Sequence, residues 1–449
     1  MSSAAAPWAR RRLHFVGVGG AGMSAYARAA HALGAQVSGS DAADSSYLRA
    51  LAEDDVLHAR IGHDAANLPD GDGVELVYSS AVPVDNAERV AARERGLAER
   101  PRAELLGELT ALRRTIAVAG THGKTTTASM TVHALRGAGM DPGWLVGGTV
   151  GDGLGNSHWS DGAWLVVEAD ESDRSMLSLD VDIAVLTNVE LDHHAAYASL
   201  AELRETFGAF VGKASQAIVV WDRPELLELM PDGPVEPARF DVAAPQLDAG
   251  GSSFDWRGQP VRLSVPGAHN ALNAAAALEA ARLAGADAAG AIAGLASFQG
   301  AGRRFQAVGQ SRRGALVFDD YAHHPTEVAA TLDAARALQP KRLLAVFQPH
   351  LYSRTRLLAA GFGRALARAD TVVVLDVYAA RERAEDHPGV SGLQIAEAAA
   401  DAAPGRPVYW LPSFDDAAAV LEGLLEAGDV CMVMGAGDVD ALGRRLVVV

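Results

Sequence analysis

The chain has 449 residues, 49% of them hydrophobic, and a formal net charge of −17. This length predicts about three domains with ample apolar residues for their cores. The acidic charge argues against non-specific binding to nucleic acid or an anionic membrane, because both need basic patches. No segment reaches the roughly eighteen apolar residues of a membrane span, and the single cysteine, Cys431, suits a reducing compartment. We expect a cytoplasmic protein without membrane insertion, in which Cys431 fills a buried strand.

The first landmark is a glycine loop between a predicted strand and a predicted helix. Gly17-Val18-Gly19-Gly20-Ala21-Gly22 follows the apolar run Leu13 to Val16 and precedes a helical stretch, Met23 to Leu33. This G-x-G-x-x-G pattern is typical of folds that bind a dinucleotide or another diphosphate. A second predicted strand, Gln36 to Ser40, ends in Asp41, where such folds place a ribose-binding acid. NAD and a uridine-type diphosphate are both compatible with these residues.

A further strand end, at Tyr78, supplies hydroxyl groups that could bind a phosphate or a base. The residues from Asn86 to Leu112 are predicted to be helical, with a break at Arg100-Pro101-Arg102, and the first domain boundary is placed near Arg113. The residues predicted to bind a nucleotide diphosphate ligand, including its ribose, in this first domain are Gly17, Gly19, Gly20, Gly22, Ser40, Asp41, Ser79 and Ser80.

A second glycine loop, Gly120 to Thr127, joins the apolar run Ile116 to Ala119 to a helical pattern. In a phosphate cradle of this kind, backbone N–H groups and a helix N-terminus hold the anion, Lys124 reaches the outer phosphates and Thr125 offers its hydroxyl to Mg²⁺. Val118 departs from the full P-loop pattern, which has a glycine there. The loop predicts a nucleoside triphosphate site made of Gly120, Thr121, His122, Gly123, Lys124, Thr125 and Thr126.

Carboxylates follow the next predicted strand, Trp164 to Val167, in the acid block Glu168-Ala169-Asp170-Glu171-Ser172-Asp173. The strand after it ends in Thr187 to His194. Hard oxygen ligands at the carboxyl end of a strand, beside a triphosphate loop, are what Mg²⁺ requires. A solvated acidic loop with an incidental pair of histidines is the alternative interpretation.

A hairpin is predicted at Phe254 to Leu263, followed by a helix, Ala271 to Leu283, with Asn270 as its favoured N-cap. Five predicted strands then alternate with helices, which indicates another parallel α/β sheet. They are Ala315 to Phe318, Arg342 to Phe347, Thr371 to Val377, Val408 to Leu411 and Asp429 to Met434. Function is expected at the carboxyl ends of these strands.

Together these motifs closely resemble the Mur ligase family of peptidoglycan synthesis. The resemblance covers nearly the whole chain, through Gly17 to Ser24, Gly120 to Thr127, Glu168 to Asp173, Thr187 to His193, His269-Asn270, Arg303 to Gln306, Asp319 to Glu327, Phe347 to Thr355 and Gly435 to Asp438. It implies three α/β domains: a Rossmann-like UDP-sugar domain at 1–112, a central P-loop-type ATPase domain at 113–307 and a Rossmann-like amino-acid domain at 308–449.

The resemblance also implies a reaction, in which ATP phosphorylates the carboxylate of UDP-N-acetylmuramate and L-alanine attacks the acyl phosphate. Lys124 and Thr125 look like the γ-phosphate and Mg²⁺ contacts, and Glu168 and His193 look like further metal ligands. Asn270, Arg304 and Asp319 look like ATP contacts. Tyr321, His323 and Arg354 look like amino-acid contacts, with Lys124, His323 and Arg354 as the catalytic residues. Leu351 stands where members often carry a basic residue, so a second cationic contact to the alanine carboxylate stays open.

Other interpretations remain at this point. Arg354 could form a surface ion pair, and His323 could cap the helix that begins near Thr326. The chain could be a sister ligase that adds a later amino acid or a recycled peptide. A different class, an NAD-dependent oxidoreductase, is favoured only by Gly17 to Gly22, and a nucleotide-binding regulator would use the same loops without chemistry. We expect small-molecule partners and a monomer or a homodimer.

Overall fold

The computed structural model describes residues 6–192 and 196–448, which form two compact units. The first unit contains Met1–Asp241 and Ala274–Leu295, and the second contains Val242–Asn273 and Ala296–Val449. Both are built from α/β layers, which confirms the predicted fold class, whereas the predicted boundaries of the three domains stay a prediction. Within the described ranges, no helix has both the length and the apolar character needed to cross a bilayer.

The N-terminal sheet of the first unit has five parallel strands. Its elements are β1 (Arg12–Val16), β2 (Gln36–Asp41), β3 (Arg60–Ile61), β4 (Val74–Tyr78) and β5 (Ala98–Pro101), with the helices α1 (Ala21–Ala32), α2 (Ser46–Glu53), α3 (Ala87–Glu94) and α4 (Arg102–Ala111). The strand order is β3-β2-β1-β4-β5. Val16 pairs with Ser40 on one side and with Tyr78 on the other. Three strand ends therefore meet beside Gly17, where such sheets bind ligands.

Strand β5 was not predicted, and the expected helical region from Asn86 to Leu112 is wrong at this point. Pro101 of β5 pairs with Tyr78 at the edge of the sheet. Glu99 and Arg100 are half-buried and form ion pairs with neighbouring side chains. A short edge strand of this composition has no alternation of apolar and polar residues, so its sequence does not indicate a strand.

The central sheet of the first unit has seven strands, of which only β8 is antiparallel to its neighbour. Its elements are β6 (Arg114–Ala119), β7 (Gly143–Leu145), β8 (Ser157–His158), β9 (Trp164–Glu168), β10 (Val181–Leu186), β11 (Ala214–Trp221) and β12 (Pro237–Phe240), with α5 (Lys124–Gly137), α6 (Leu200–Val211) and α7 (Pro224–Leu227). The order is β12-β11-β10-β6-β9-β7-β8. Ala119 pairs with Leu186, and Val118 pairs with Glu168. This register brings the second glycine loop between the acid block and the Thr187 segment.

A small antiparallel sheet lies in the second unit and confirms the predicted hairpin. It contains β13 (Gln246–Asp248), β14 (Gly251–Trp256) and β15 (Gln259–Leu263), and is followed by α8 (Ala268–Leu283) and α9 (Ala288–Ser297). Because α8 begins at Ala268, Asn270 lies in its first turn and is not the N-cap that we expected. The Asn270 amide instead donates to the Pro266 carbonyl over 2.7 Å, which ties the start of the helix to the hairpin.

The C-terminal sheet has six strands in the order β16-β17-β21-β18-β19-β20. Its elements are β16 (Gln306–Gln310), β17 (Leu316–Asp320), β18 (Leu343–Phe347), β19 (Thr371–Val374), β20 (Val408–Trp410) and β21 (Val430–Met434), with α10 (Pro325–Arg336), α11 (Tyr352–Leu366), α12 (Leu393–Ala402), α13 (Phe414–Leu424) and α14 (Asp440–Leu446). The expected all-parallel sheet is wrong at one edge, because the mostly exposed strand β16 runs antiparallel to β17. Cys431 is buried in β21, as predicted.

Candidate active site

The second glycine loop wraps closely around the end of β6. Gly120 has φ +139°, and a Cβ at this position would overlap the Thr187 hydroxyl. Gly123 is the N-cap of α5 in a left-handed conformation. Only glycine is suited to both positions, so the loop presents its backbone N–H groups and the N-terminus of α5 as a phosphate cradle.

The segment after β10 braces this loop. Thr187 donates its hydroxyl hydrogen to the His122 carbonyl over 2.8 Å, and the Asn188 side chain accepts the His122 N–H over 2.8 Å. Thr121 donates to the Glu190 carbonyl over 2.9 Å. The sequence did not single out Thr187 and Asn188 as loop-positioning residues, because polar side chains at a strand end could equally be metal ligands. The predicted metal ligand His193 lies outside the described residues.

Lys124 lies inside the cradle and is paired with the acid block. Its ammonium group donates to the Gly120 carbonyl over 2.6 Å and lies 2.8 Å from Glu171 Oε2. Burial alone lowers the pKa of Lys124, but the charges of Glu171 and Asp170 outweigh it and raise the pKa above its ordinary value. Lys124 is therefore a cation where the outer phosphates of a triphosphate would lie.

Thr125 and Glu168 face each other across the same loop. The Thr125 hydroxyl donates to Glu168 Oε1 over 2.5 Å, and the Gly147 N–H donates to Glu168 Oε2. Burial raises the pKa of Glu168 despite these hydrogen bonds and the nearby Lys124. A desolvated carboxylate beside a hydroxyl is a hard oxygen pair, so the residues present fit a divalent cation such as Mg²⁺.

The other members of the acid block have protein partners. Arg102 donates to Asp173 over 2.7 Å and to Asp170 over 2.8 Å. Burial raises the pKa of Asp170, but Arg102 and Lys124 outweigh burial and bring it well below its usual range. The acid block therefore divides into one carboxylate facing Thr125, one paired with Lys124 and two held by Arg102.

The first glycine loop is shaped by its neighbours on β2. The Gly17 and Val18 N–H groups donate to the Ser40 carbonyl over 2.9 and 3.1 Å. The Gly19 N–H donates to Asp41 Oδ2 over 2.7 Å, and the Ser45 hydroxyl donates to the Gly19 carbonyl over 2.9 Å. Asp41 thus braces the loop itself, and Ser45 is a positioning residue that the sequence did not reveal.

The remaining predicted residues of this loop lie around the same edge, with one correction. Gly20 is the N-cap of α1, and Ser79 follows β4 beside Gly17. The Ser40 side chain is fully buried and donates to Glu88 Oε1 over 2.7 Å. Ser40 therefore supports the loop with its carbonyl. We had expected its hydroxyl to bind the ligand, but that hydroxyl points away from the loop to Glu88. Alternation along β2 turns this side chain inward.

The carboxyl ends of β17, β21 and β18 meet at one edge of the C-terminal sheet. Arg303 donates to Asp319 over 3.0 Å and to the Gly435 carbonyl over 3.0 Å. The cation paired with Asp319 is thus Arg303. Arg304 lies 3.8 Å from Glu327 and above the Tyr321 ring. Burial raises the pKa of Asp319 against the effect of Arg303.

The residues predicted to contact an amino acid gather at this edge. His323 Nδ1 lies 2.9 Å from the Tyr321 carbonyl, and the two rings make an edge contact. Arg354 is buried, with 4% of its surface exposed, and Nη1 lies 3.1 Å from His350 Nδ1. The alternative of a surface ion pair for Arg354 is therefore wrong.

His324, and not His323, is the N-cap of α10, where its side chain accepts the Thr326 N–H over 3.3 Å. The capping alternative for His323 is therefore wrong. His350 was missed as an individual residue, although it follows directly after β18 and Gln348-Pro349. Leu351 is buried and has φ +69°, a backbone conformation that is costly for a leucine.

A carboxylate and an amine do not condense at neutral pH unless the carboxylate is activated and both reactants are positioned. The chain has a triphosphate cradle, the first glycine loop and a cationic strand edge, which are the parts that such an activation needs. The fold and these sites define the chain as an ATP-dependent ligase that forms an amide bond.

The chain belongs to the Mur ligase family. Three family models match it in order: the Mur ligase family catalytic domain at residues 12–114, the Mur ligase middle domain at 118–281 and the Mur ligase glutamate ligase domain at 303–437. These matches agree with the three-domain fold, and a NAD-dependent oxidoreductase is not favoured.

Relatives resemble the chain over its full length. The UDP-N-acetylmuramate–L-alanine ligase of Thermobifida fusca is 44% identical over 463 residues, covering 97% of this chain and 96% of the relative. That of Mycolicibacterium smegmatis is 42% identical over 475 residues, covering 99% and 96%. Among solved structures, the UDP-N-acetylmuramate-alanine ligase of Thermotoga maritima gives a TM-score of 0.82 at 27% identity, covering 97% and 98%. A murein peptide ligase of Psychrobacter arcticus gives 0.71 at 26% identity, with the same coverage.

Proposed function

We propose that the protein joins L-alanine to the carboxylate of UDP-N-acetylmuramate at the expense of ATP, in the synthesis of peptidoglycan precursors. The observation that carries this proposal is the full-length likeness, at 42–44% identity, to relatives named for this reaction. The substrates also fit the sites, because the chain has one phosphate loop for each nucleotide.

The chemistry runs in two steps. A carboxylate oxygen of the muramyl group attacks the γ-phosphorus of ATP, and ADP leaves. The nitrogen of L-alanine then attacks the acyl carbon, and the tetrahedral intermediate loses phosphate. Lys124 stabilises the charge on the transferring phosphoryl group, because its ammonium lies inside the cradle.

Mg²⁺ belongs to this proposal, with Thr125 and Glu168 as its protein ligands and His193 as a further predicted ligand. When bound, such an ion supplies positive charge to the phosphoryl oxygens. The hydrogen bond between Thr125 and Glu168 supports the assignment, since it places the two oxygens beside each other in the cradle.

The remaining residues are assigned by their places in the fold. Gly17 to Gly22, with Ser79 and Ser80, hold the diphosphate of the UDP-sugar, and Asp41 stays the predicted ribose-binding acid. Arg354 pairs with the carboxylate of L-alanine, and Tyr321 and His323 lie near its amine. The predicted ATP contacts Asn270, Arg304 and Asp319 stay proposals, as do a cytoplasmic location and a monomeric or homodimeric state.

Mass spectrometry of the product tests the function directly. The enzyme is incubated with ATP, Mg²⁺, UDP-N-acetylmuramate and an equimolar mixture of amino acids, and phosphate release is followed in parallel. We expect one product, carrying alanine, and phosphate release only when both the UDP-sugar and an amino acid are present. A product with another amino acid would identify a sister ligase. Phosphate release without the UDP-sugar would contradict the ligase mechanism.

A further inference from the structure

Arg102, the first residue of α4, connects the surroundings of the two phosphate loops. Its side chain is only 15% exposed. The Nε and Nη2 atoms donate to Asp173 over 2.7 Å and to Asp170 over 2.8 Å. Two bonds to two carboxylates fix the plane of the guanidinium group, so the direction of the third nitrogen, Nη1, is fixed as well.

Nη1 points to the first glycine loop. A Cβ at Gly22 would lie 3.1 Å from it, so the glycine leaves room for the guanidinium close to the start of α1. Nη1 has no hydrogen-bond partner among the residues that the structure describes. The Tyr26 hydroxyl lies beside the same point, and burial raises the pKa of Tyr26 to about 12. Tyr26 is thus neutral, so the charged group that faces Gly22 at this point is the Arg102 guanidinium.

The other side of Arg102 leads to the ATP cradle. Asp170, which Arg102 holds, is followed directly by Glu171, which holds Lys124. The two cations are therefore joined through adjacent residues of one segment. Any ligand that moves one of them changes the position of the carboxylate that constrains the other.

We propose that Arg102 binds an anionic oxygen of the sugar nucleotide through Nη1 and couples the occupancy of the first glycine loop to the ATP cradle through Asp170 and Glu171. The proposal rests on the proposed function of Gly17 to Gly22 as the UDP-sugar loop. Both ligands contact cations that adjacent carboxylates of one segment hold, so a position of this segment that favours one ligand also favours the other. The coupling is therefore positive.

Titration calorimetry measures this coupling directly. The Kd of UDP-N-acetylmuramate is measured alone and with a saturating non-hydrolysable ATP analogue and Mg²⁺. For the natural protein we expect the analogue to lower this Kd by about fivefold or more, the lower end of the usual range of coupling between two sites. Arg102→Met should raise the Kd for the UDP-sugar by about tenfold or more and abolish the effect of the analogue, since a charged hydrogen bond is lost. The Kd of the analogue alone should change by less than about threefold.

Two further variants test whether the effect is specific to the guanidinium group of Arg102. Arg102→Lys keeps the charge but cannot hold two carboxylates and a ligand together, so part of the UDP-sugar affinity should remain while the coupling is lost. Arg100→Met is the matched control, because Arg100 lies two residues away and forms ion pairs with Glu75 and Glu108. It should bind and couple like the natural protein. Circular dichroism confirms folding, and Arg102→Lys alone decides the test if Arg102→Met does not fold.

The outcomes separate this inference from the proposed function. A natural protein that binds no UDP-N-acetylmuramate overturns both. A natural protein that binds it without any effect of the ATP analogue overturns the coupling. Unchanged binding and coupling in the Arg102 variants, or an equal loss in Arg100→Met, overturns the role of Arg102 while leaving the ligase function intact.

Discussion

Lys124 Nζ lies 2.8 Å from Glu171 Oε2, so the cation of the ATP cradle already has a counter-ion within the protein. The Glu171 side chain is only 1% exposed. Because a buried carboxylate that loses its partner is costly, Lys124 remains close to Glu171 while it also reaches toward a phosphate. The pair keeps the ammonium in the cradle before the nucleotide binds.

Replacing Lys124 tests its part in the chemical step. Lys124→Ala should lower kcat by about 100-fold or more, since one electrostatic contact to a developing charge is worth about 3 kcal/mol. Steady-state phosphate release measures this effect. Lys213→Ala is the control, because Lys213 is exposed. Near-normal turnover in a folded Lys124→Ala protein would remove the cradle lysine from the mechanism.

The first glycine loop should bind the UDP-sugar and not NAD. A Cβ at Gly19 would lie 2.9 Å from Asp41 Oδ2, so Gly19→Ala forces Asp41 away from the loop. We expect the Kd for UDP-N-acetylmuramate to rise by about tenfold or more and the Kd for ATP to change little. Gly233→Ala is the control, because a Cβ there meets nothing within 4 Å. Calorimetry that finds tight NAD binding, and none of the UDP-sugar, would refute the assignment.

Arg354 should recognise the carboxylate of L-alanine. Arg354→Lys keeps the charge but loses the planar fork that matches a carboxylate. The KM for L-alanine should rise by about tenfold or more, and those for ATP and the UDP-sugar should stay within a few-fold. Arg356→Lys, at an exposed position of the same helix, is the control. An unchanged KM for L-alanine in Arg354→Lys would place the carboxylate site elsewhere.

His323 should act on the amine. Its Nδ1 faces the Tyr321 carbonyl at 2.9 Å and Glu327 Oε2 at 3.3 Å. Both are acceptors, so they favour the tautomer of a neutral ring in which Nδ1 carries the proton. His323→Ala should lower kcat by about 100-fold, which is the lower end of the effect of losing a general base. The control is His58→Ala, at an exposed position, which should leave kcat unchanged. Unchanged kcat with a raised KM for L-alanine would assign His323 to binding alone.

Glu88 gives the N-terminal domain a pH-dependent stability. Its carboxylate is fully buried and contacts His14, His63, Ser40 and Asn67. Burial raises the pKa of Glu88, but the hydrogen bonds from His14 and Ser40 outweigh burial and lower the pKa to about 2. A lowered pKa means that the stabilisation is present above the ordinary pKa near 4.5 and is lost as the pH falls toward 2.

Denaturant unfolding of Glu88→Gln at several pH values checks this. The free energy of unfolding of the natural protein should exceed that of the variant by about 3 kcal/mol at pH 7. This difference should shrink steadily below about pH 4.5. Glu94→Gln, exposed on the same helix, should show no such trend. A difference that grows on acidification would contradict the direction of the pKa shift.

The sequence predicted the parts of the site that depend on short-range geometry. Both glycine loops follow their strands directly, and the strand ends that surround them follow from parallel pairing. Arg102 contacts Asp173 across 71 residues of chain, and no local pattern carries that information. The inward direction of the Ser40 hydroxyl likewise depends on Glu88, which a helix from another part of the chain supplies.

Two of the errors in the fold, at β5 and β16, have one physical cause. β5 and β16 lie at sheet edges, where one side of the strand has no partner and side chains are partly exposed. Such strands need no apolar alternation to be stable, so composition does not distinguish them from helices or loops. The error at Asn270 differs, because its amide found a partner in the preceding loop instead of capping the helix.

The burial of Cys431 in β21 has a practical consequence for experiments in solution. Burial raises the pKa of its thiol to about 12, so the native protein offers no thiolate to alkylating dyes at neutral pH. Cysteines introduced at exposed positions, one in each compact unit, can therefore be labelled without removing the natural one. A donor and an acceptor dye attached in this way would report, in a single molecule, whether the two units change their separation as each substrate is added.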